Sequence, residues 1–157
     1  MDAAERAALI DRYEDGFRVV AAALEGITDA ELEAREGPGE WCPREIVHHL
    51  ADSEMTAAIR LRLLIAADDP AIVGYDQEAF VRRLFPDRPL GPSLAAFEAA
   101  REATAPILRR LTAEQWGRAG THSESGRYSV DDWLRIYGGH AHDHAEQIRR
   151  ARASVAG

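Results

Sequence analysis

Apolar residues recur every three or four positions through four long stretches of this chain, and such spacing is typical of amphipathic helices. The stretches span about residues 2–24, 43–67, 93–111 and 129–153. Helix-start signals precede them, and no segment shows the strict alternation of a half-buried strand. Because a long, proline-rich connection separates the second helix from the third, the pattern predicts an all-α four-helix bundle with a long crossover and short extra helices.

Length and charge limit the classes of partner. The chain has 157 residues, so we expect residues 1–157 to form a single domain. Its net charge of −8 disfavours binding to nucleic acid or to an anionic membrane surface, because both depend on basic side chains. No apolar run reaches the roughly 18 residues of a membrane span. The first residues carry charges throughout, and the single cysteine excludes an internal disulfide. We therefore expect a cytoplasmic protein.

The two halves of the chain present their features in the same order. In each half, a long helix is followed by a capping-box pattern, at Thr28 with Glu31 and at Thr112 with Gln115. A loop, an aromatic residue and a second long helix come next. This weak repeat predicts that the second and fourth long helices pair about a pseudo-twofold axis.

Histidines are concentrated on these two helices, which carry five of the six in the chain. His140 and His144 are four positions apart, and both lie on the inward-facing stripe of the fourth helix. His49 lies on the corresponding stripe of the second helix, whereas His48 is predicted at its edge. His142 is predicted to face solvent or another subunit. If the two helices pack together, His49 meets His140 and His144 in the bundle interior.

A divalent metal would explain three imidazoles in an apolar interior, where unpaired polar rings are costly. Three neutral nitrogens with an open fourth position are typical of a catalytic site. Such ligands suit zinc, nickel, copper or iron(II). The alternative is that each histidine finds a side-chain partner and binds no metal.

Other metal patterns fit less well. The segment His140-Ala-His-Asp-His144 lacks the glutamate of the HExxH protease motif. A di-iron bundle needs two E-x-x-H motifs, and only Glu45 to His48 provides one. Bis-histidine haem ligation stays open, but it would leave the third histidine unexplained.

Two motifs resemble one family. The stretch Gly39–Met55, GEWCPREIVHHLADSEM, followed by Ile59-Arg60, is similar to the DinB-like metal-binding four-helix bundles. The stretch Gly139–Ile148, GHAHDHAEQI, is similar to the signature of that family's last helix. The resemblance is to the YfiT-like branch and extends over essentially the whole chain.

This resemblance implies a metal, usually zinc or nickel completed by water, held by His49, His140 and His144. It also implies a homodimer and a small-molecule substrate. Characterised relatives are bacillithiol and mycothiol S-transferases and a mycothiol-dependent maleylpyruvate isomerase. We therefore expect a metal-dependent S-transferase with a low-molecular-weight thiol as co-substrate, whose metal converts the thiol to a nucleophilic thiolate. The alternatives are a hydrolase that uses a metal-bound water and a bundle that binds metal or a small molecule without turnover.

Side chains near the predicted ligands have open roles. Asp52 on the second helix, and Asp143 and Glu146 on the fourth, could accept the second N–H of a ligating histidine. They could equally be solvated helix acids. Arg60 could contact an anionic substrate or pair with a carboxylate of the bundle.

Cys42 suggests a rival class of enzyme. It stands at the start of the second helix, where the helix dipole lowers the pKa of a thiol. A nucleophilic cysteine with His48 or His49 as base is conceivable, although both lie about 9 to 10 Å along the helix axis. The alternative is a small residue that only begins a helix.

Overall fold

The computed structural model describes residues 1–155. Within this range four long helices form the bundle: α1 (Ala3–Leu24), α3 (Pro43–Ala66), α5 (Leu90–Leu108) and α7 (Val130–Ala153). Three shorter helices connect them: α2 (Asp29–Leu32), α4 (Gln77–Arg83) and α6 (Ala113–Trp116). The strands are β1 (Ala71–Ile72), β2 (Ala119–His122) and β3 (Gly126–Ser129). The prediction of a helical bundle with a long crossover and short extra helices is confirmed.

Side-chain caps begin most of these helices where the sequence places them. Asp2 accepts from the backbone of Glu5 before α1, and Ser129 accepts from that of Asp132 before α7. Thr28 and Thr112 form capping boxes at the two short helices α2 and α6. These caps bind backbone N–H groups that have no partner inside the helix.

The second and fourth long helices, α3 and α7, contact each other, as the repeat predicts. The α1 helix packs along α7 and α3 packs along α5, while α3 also faces α7. Trp133 is fully buried at the centre, and its indole N–H donates to the carbonyl oxygen of Ala57, 2.8 Å away, which ties α7 to α3. The contact between α3 and α7 brings the histidine-bearing segments together.

A small sheet corrects the prediction that the chain has no strands. The β1 strand pairs parallel with β2, and β2 pairs antiparallel with β3, in the segments predicted to be connections. Strands of two and four residues are too short for alternation to be visible in the sequence. Through β1 and β2, the crossover between α3 and α5 is hydrogen-bonded to the segment that precedes α7.

The start of α5 is a second correction. The sequence predicts a start at about residue 93, where Ser93 has the chemistry of a helix cap, but the helix begins at Leu90, with Pro89 as the cap residue. Pro92 fits within the first turn because backbone N–H groups there have no intrahelical partner. The Ser93 hydroxyl instead lies 2.8 Å from Nδ1 of His48.

A charged cluster crosses the bundle interior, and we call it the Glu54 cluster: Tyr13, Glu54 and Arg101. The Arg101 guanidinium donates to Glu54 at 2.5 Å and to the carbonyl oxygen of Tyr13, while the Tyr13 hydroxyl donates to the other oxygen of Glu54. Gly16 makes this approach feasible, because a Cβ atom there would lie 2.6 Å from Nη2 of Arg101. Every charged group of the cluster therefore has a partner.

None of the helices within residues 1–155 combines the length and the apolarity needed to cross a membrane.

Candidate metal centre

Three histidines converge where α3 faces α7, and we call them the histidine trio: His49, His140 and His144. Nε2 of His49 lies 3.2 Å from Nε2 of His140, which lies 3.1 Å from Nε2 of His144. One ring nitrogen from each of the three lies within 4.8 Å of the others. The predicted convergence of these side chains is therefore present in the fold.

Helical phase explains why the three rings meet. His49 follows Ile46 by three positions on the buried face of α3 and is 2% exposed. His144 lies one turn after His140 on α7, and Ala141, between them in the sequence, is buried. Both are partly buried, so the trio has an apolar base and a side nearer to solvent.

Protonation of the trio is disfavoured. Burial lowers the pKa of His49 to about 3, and the neighbouring His144 adds to the shift. Burial also lowers the pKa of His140 well below its usual value, together with His144 and His49. The pKa of His144 is lowered by burial too, although Gln147 opposes the change. At neutral pH the rings are uncharged, which is the form that binds metals.

The spacing of the trio fits a cation better than hydrogen bonds. Nε2 of His140 is the near neighbour of Nε2 in both His49 and His144, and one ring nitrogen cannot form a hydrogen bond with both at once. The other ring nitrogen of His140, Nδ1, is buried without a partner. Metal–nitrogen bonds of about 2.0–2.1 Å in a tetrahedral site separate the ligand atoms by about 3.3–3.4 Å. The observed distances of 3.2 and 3.1 Å lie close to that value. Two of the three separations therefore suit a tetrahedral divalent ion, and the donor atoms of all three residues lie within 4.8 Å of one another.

Aromatic rings enclose the trio. The ring of Trp41 lies 4.7 Å from that of His49 and is stacked 6.2 Å from that of His144. Tyr137 meets His140 edge to face at 5.9 Å. The indole N–H of Trp41 donates to Glu78 of α4 at 2.7 Å, so the crossover holds one wall of the site.

Gln147 is a partner of the trio that the sequence reasoning missed. Its Oε1 atom lies 2.8 Å from Nδ1 of His144, three positions earlier on α7. An N–H donated from Nδ1 to this oxygen leaves the lone pair of Nε2 free for a ligand. The i, i+3 spacing of the two residues is visible in the sequence, and an amide oxygen accepts an N–H as a carboxylate does.

The predicted acidic partners all bind arginines. Asp52 pairs with Arg88 at 2.9 Å, and Asp143, which is 78% exposed, pairs with Arg12 at 3.6 Å. Exposed Glu146 pairs with an arginine one turn along α7. Throughout residues 1–155, Gln147 is the single hydrogen-bond partner of the trio outside the trio itself. These three carboxylates therefore pair with arginines and not with the histidine trio.

Arg60 lies beside the centre. Its guanidinium donates to the hydroxyl of Tyr137 at 3.3 Å and to the carbonyl oxygen of Val73 at 2.6 Å. The ring of Tyr75 lies 5.6 Å from its central carbon. Because Tyr137 also meets His140, this guanidinium is one side chain away from the trio.

Comparison with known proteins agrees with this geometry. The family described as the DinB superfamily matches residues 12–148. A relative from Oceanobacillus iheyensis is 32% identical over 139 residues, which is 88% of this chain and 81% of the relative. The chain belongs to the DinB superfamily. The predicted family resemblance is confirmed.

Both the sequence and the fold of this DinB superfamily chain are similar to those of YfiT from Bacillus subtilis. The sequences are 33% identical over 129 residues, which is 80% of this chain and 72% of YfiT. The solved structure of YfiT, described as having an unusual four-helix bundle topology, matches with a TM-score of 0.91 and 27% identity. That match covers 99% of this chain and 90% of the YfiT chain. The two relatives are each named “Putative metal-dependent hydrolase”.

The two remaining histidines near the site have other contacts. His48 was predicted at the edge of its stripe, but it is 1% exposed because the start of α5 covers it. Its Nδ1 atom pairs with Ser93. His142 is partly exposed, and its Nε2–H donates to the carbonyl oxygen of Arg12 at 3.0 Å. Neither ring points at the centre of this DinB superfamily protein.

Cys42 has no environment that would activate it. Its side chain is buried at the start of α3, and burial raises the pKa of the thiol, against the prediction that the helix dipole lowers it. The hydrogen-bond partner nearest its sulfur is Glu33, at 3.9 Å. A raised thiol pKa reduces the thiolate population that acts as nucleophile.

Proposed function

We propose that this chain is a metal-dependent enzyme whose divalent cation, zinc or nickel, is held by His49, His140 and His144. The observation that carries the proposal is the approach of three neutral, buried imidazole nitrogens to within 4.8 Å of one another. The names of its two relatives support a metal-dependent activity. A tetrahedral ion with three protein ligands leaves one position for a small molecule.

Thiol S-transfer fits the charges around the trio. When bound, a divalent cation would supply Lewis acidity that lowers the pKa of a thiol or a water taken up at the open position. The three imidazoles are neutral and the nearby acids are paired with arginines, so the charge of the cation is not offset by a carboxylate. Such a centre favours an anionic ligand such as a thiolate.

The residues then have defined tasks in the transfer. The trio would hold the cation that takes up the thiol, and Trp41 and Tyr137 pack beside the trio and shield it from water. A sulfur–carbon bond forms as the bond from carbon to the leaving group breaks. The leaving group departs with its electron pair, and the thiol proton passes to solvent. No side-chain base is required, which suits a centre whose neighbouring acids bind arginines.

A hydrolase is the second candidate, and the names of the two relatives favour it. Hydrolysis needs a group that accepts a proton from water and one that donates a proton to the leaving group. The Tyr137 hydroxyl, whose ring meets that of His140, is a candidate for the second task. The homodimer, the cytoplasmic location and the thiol co-substrate stay predictions.

The first test is metal content. Protein purified without a histidine tag should contain about one zinc or nickel per chain, because three ligands converge. The variants His49→Ala and His144→Ala should contain almost none. His142→Ala is the matched control on α7, since that ring binds a backbone carbonyl, and it should keep the metal. Equal metal in all four proteins would overturn the proposed centre.

The second test separates the two reactions. Metal-loaded protein is mixed with cysteine or 2-mercaptoethanol and 1-chloro-2,4-dinitrobenzene, and separately with 4-nitrophenyl acetate. We expect metal-dependent thiol conjugates that His144→Ala does not form. Ester cleavage without any conjugate would replace the transferase by the hydrolase. Bound metal without either product would support the bundle that binds but does not turn over.

A further inference from the structure

Arg60 is a cation without an acidic partner. Within the part of the chain that the structure describes, no carboxylate lies within 4.0 Å of its guanidinium, although most arginines of this acidic protein form such pairs. It is partly buried, and its two hydrogen bonds go to neutral oxygens, those of Tyr137 and Val73. A partly buried positive charge that is hydrogen-bonded but not neutralised attracts an anion.

Hydroxyl groups collect around this guanidinium. The Tyr137 oxygen accepts from Arg60, and its own proton has no acceptor among residues 1–155. The Tyr128 hydroxyl is buried and has no hydrogen-bond partner in that same range. Burial raises the pKa of this hydroxyl, the Tyr137 hydroxyl adds to the rise, and the Arg60 guanidinium opposes it. An unsatisfied buried hydroxyl needs an explanation, and a polar ligand nearby would provide one.

The positions of Arg60 and Tyr137 are set by the helices that carry them. Arg60 extends from α3, three turns after His49, and its guanidinium is held by the strand-side carbonyl of Val73 and by the ring of Tyr75 at 5.6 Å. Tyr137 lies one turn before His140 on α7. Tyr137 therefore links the two groups, because its ring meets His140 and its hydroxyl accepts from Arg60.

We propose that Arg60 and the Tyr137 hydroxyl form a carboxylate-binding subsite beside the histidine trio, so that the small molecule taken up there carries a carboxylate group. This inference rests on the proposed function and names its substrate class. The guanidinium donates to one carboxylate oxygen, and the Tyr137 proton is available to the other. A neutral analogue of the same shape would leave the guanidinium without its anion.

The subsite is tested first in metal-free protein, with benzoate and benzamide as probes followed by NMR titration. Benzoate should bind at least about tenfold more tightly, as one charge-assisted hydrogen bond allows. Arg60→Gln should reduce that preference to less than about twofold, and Tyr137→Phe should reduce it in part. The matched control is Arg62→Gln. Arg62 also lacks a carboxylate partner in the described chain, but it donates to Ala58 and Thr104 on the α5 side. It should keep the full preference.

The second arm uses nickel-loaded protein, with 3-mercaptopropionate and 3-mercaptopropionamide as probes. Absorption from sulfur-to-nickel charge transfer reports thiol binding at the trio. The carboxylate should bind at least about tenfold more tightly in the wild type and in Arg62→Gln, but not in Arg60→Gln. A preference that is equal in the wild type and Arg60→Gln would overturn the subsite while leaving the proposed function intact. If the wild type binds no nickel, the proposed function fails, and the benzoate preference alone then supports or overturns the subsite.

Discussion

Two polar clusters lie inside the same bundle, and they are built differently. In the Glu54 cluster, each charge meets an opposite charge or an oriented dipole, and the side chains of Glu54 and Arg101 are 0% and 3% exposed. In the histidine trio, ring nitrogens face one another, and Nδ1 of His140 has no partner among residues 1–155. The first cluster is complete as it stands. In the second, the facing Nε2 atoms are not each paired with a partner of their own, and a bound cation would accept their lone pairs.

The largest expected effect breaks the Glu54 cluster. Glu54→Ala leaves the Arg101 guanidinium buried without its carboxylate, so the free energy of unfolding should fall by about 3–5 kcal/mol. Urea denaturation of metal-free protein measures this. The control is Asp52→Ala, which removes a more exposed ion pair on the same helix and should cost no more than about 1 kcal/mol. Similar losses for both variants would contradict a structural role that is specific to the Glu54 cluster.

A smaller effect concerns Gln147, which orients the ring of His144. Gln147→Leu removes the oxygen that accepts from Nδ1 of His144, so metal affinity should fall about 10- to 100-fold. Competition with a chelator gives that affinity. Gln147→Glu keeps an acceptor at the same position and should retain tight binding. If Gln147→Leu and Gln147→Glu bind the metal with equal affinity, Gln147 has no part in orienting His144.

The pH dependence of stability sharpens the comparison further. His49 titrates near its ordinary value of about 6.5 when unfolded and at about 3 when folded. Below pH 6.5 the unfolded state therefore binds the extra proton, and stability falls as the pH falls. For His49 this loss is about 1.4 kcal/mol per pH unit.

Urea denaturation of metal-free protein between pH 7 and pH 5 tests this prediction. His49→Gln cannot take up that proton, so its stability should decline less steeply than that of the wild type. The carboxylates common to both proteins contribute equally and cancel in the difference. Parallel curves would show that the folded protein protonates His49 as readily as the unfolded chain does.

The smallest expected effect is at Cys42. Cys42→Ser should leave metal content and any turnover within about twofold of the wild type, because burial raises the pKa of the thiol and no histidine contacts its sulfur. The free energy of unfolding should change by about 1 kcal/mol or less, since serine is also accepted at a helix start. A large loss of turnover with metal retained would return the cysteine to the candidate nucleophiles.

Local signals predicted most of the fold. Capping residues and apolar periodicity gave the ends of α1, α3 and α7 to within about two residues. The start of α5 was misplaced because Ser93 has the chemistry of a cap but is used by His48. The three strands were not predicted because two to four residues are too few to show a periodic pattern. In addition, β1 pairs with a segment 50 residues further along the chain.

The candidate site was predictable where it depended on helical phase. The positions of His49, His140 and His144 on two facing stripes were enough to bring their rings together. The burial of His48 was not predictable in this way, because it depends on α5 packing over that face. The partner of Asp52 comes from the connection before α5 and that of Asp143 comes from α1, so the spacing along their own helix could not identify them.

The distance in sequence between the members of the trio has a mechanical consequence. Residues 49 and 140 are 91 positions apart and lie in opposite halves of the repeat. An ion held between them would act as a removable cross-link that joins the two halves. At a free metal concentration one hundred times its dissociation constant, that link would add about 2.7 kcal/mol to the free energy of unfolding. The melting temperature would then rise with metal supply, which couples the persistence of the folded protein to the ion that it uses.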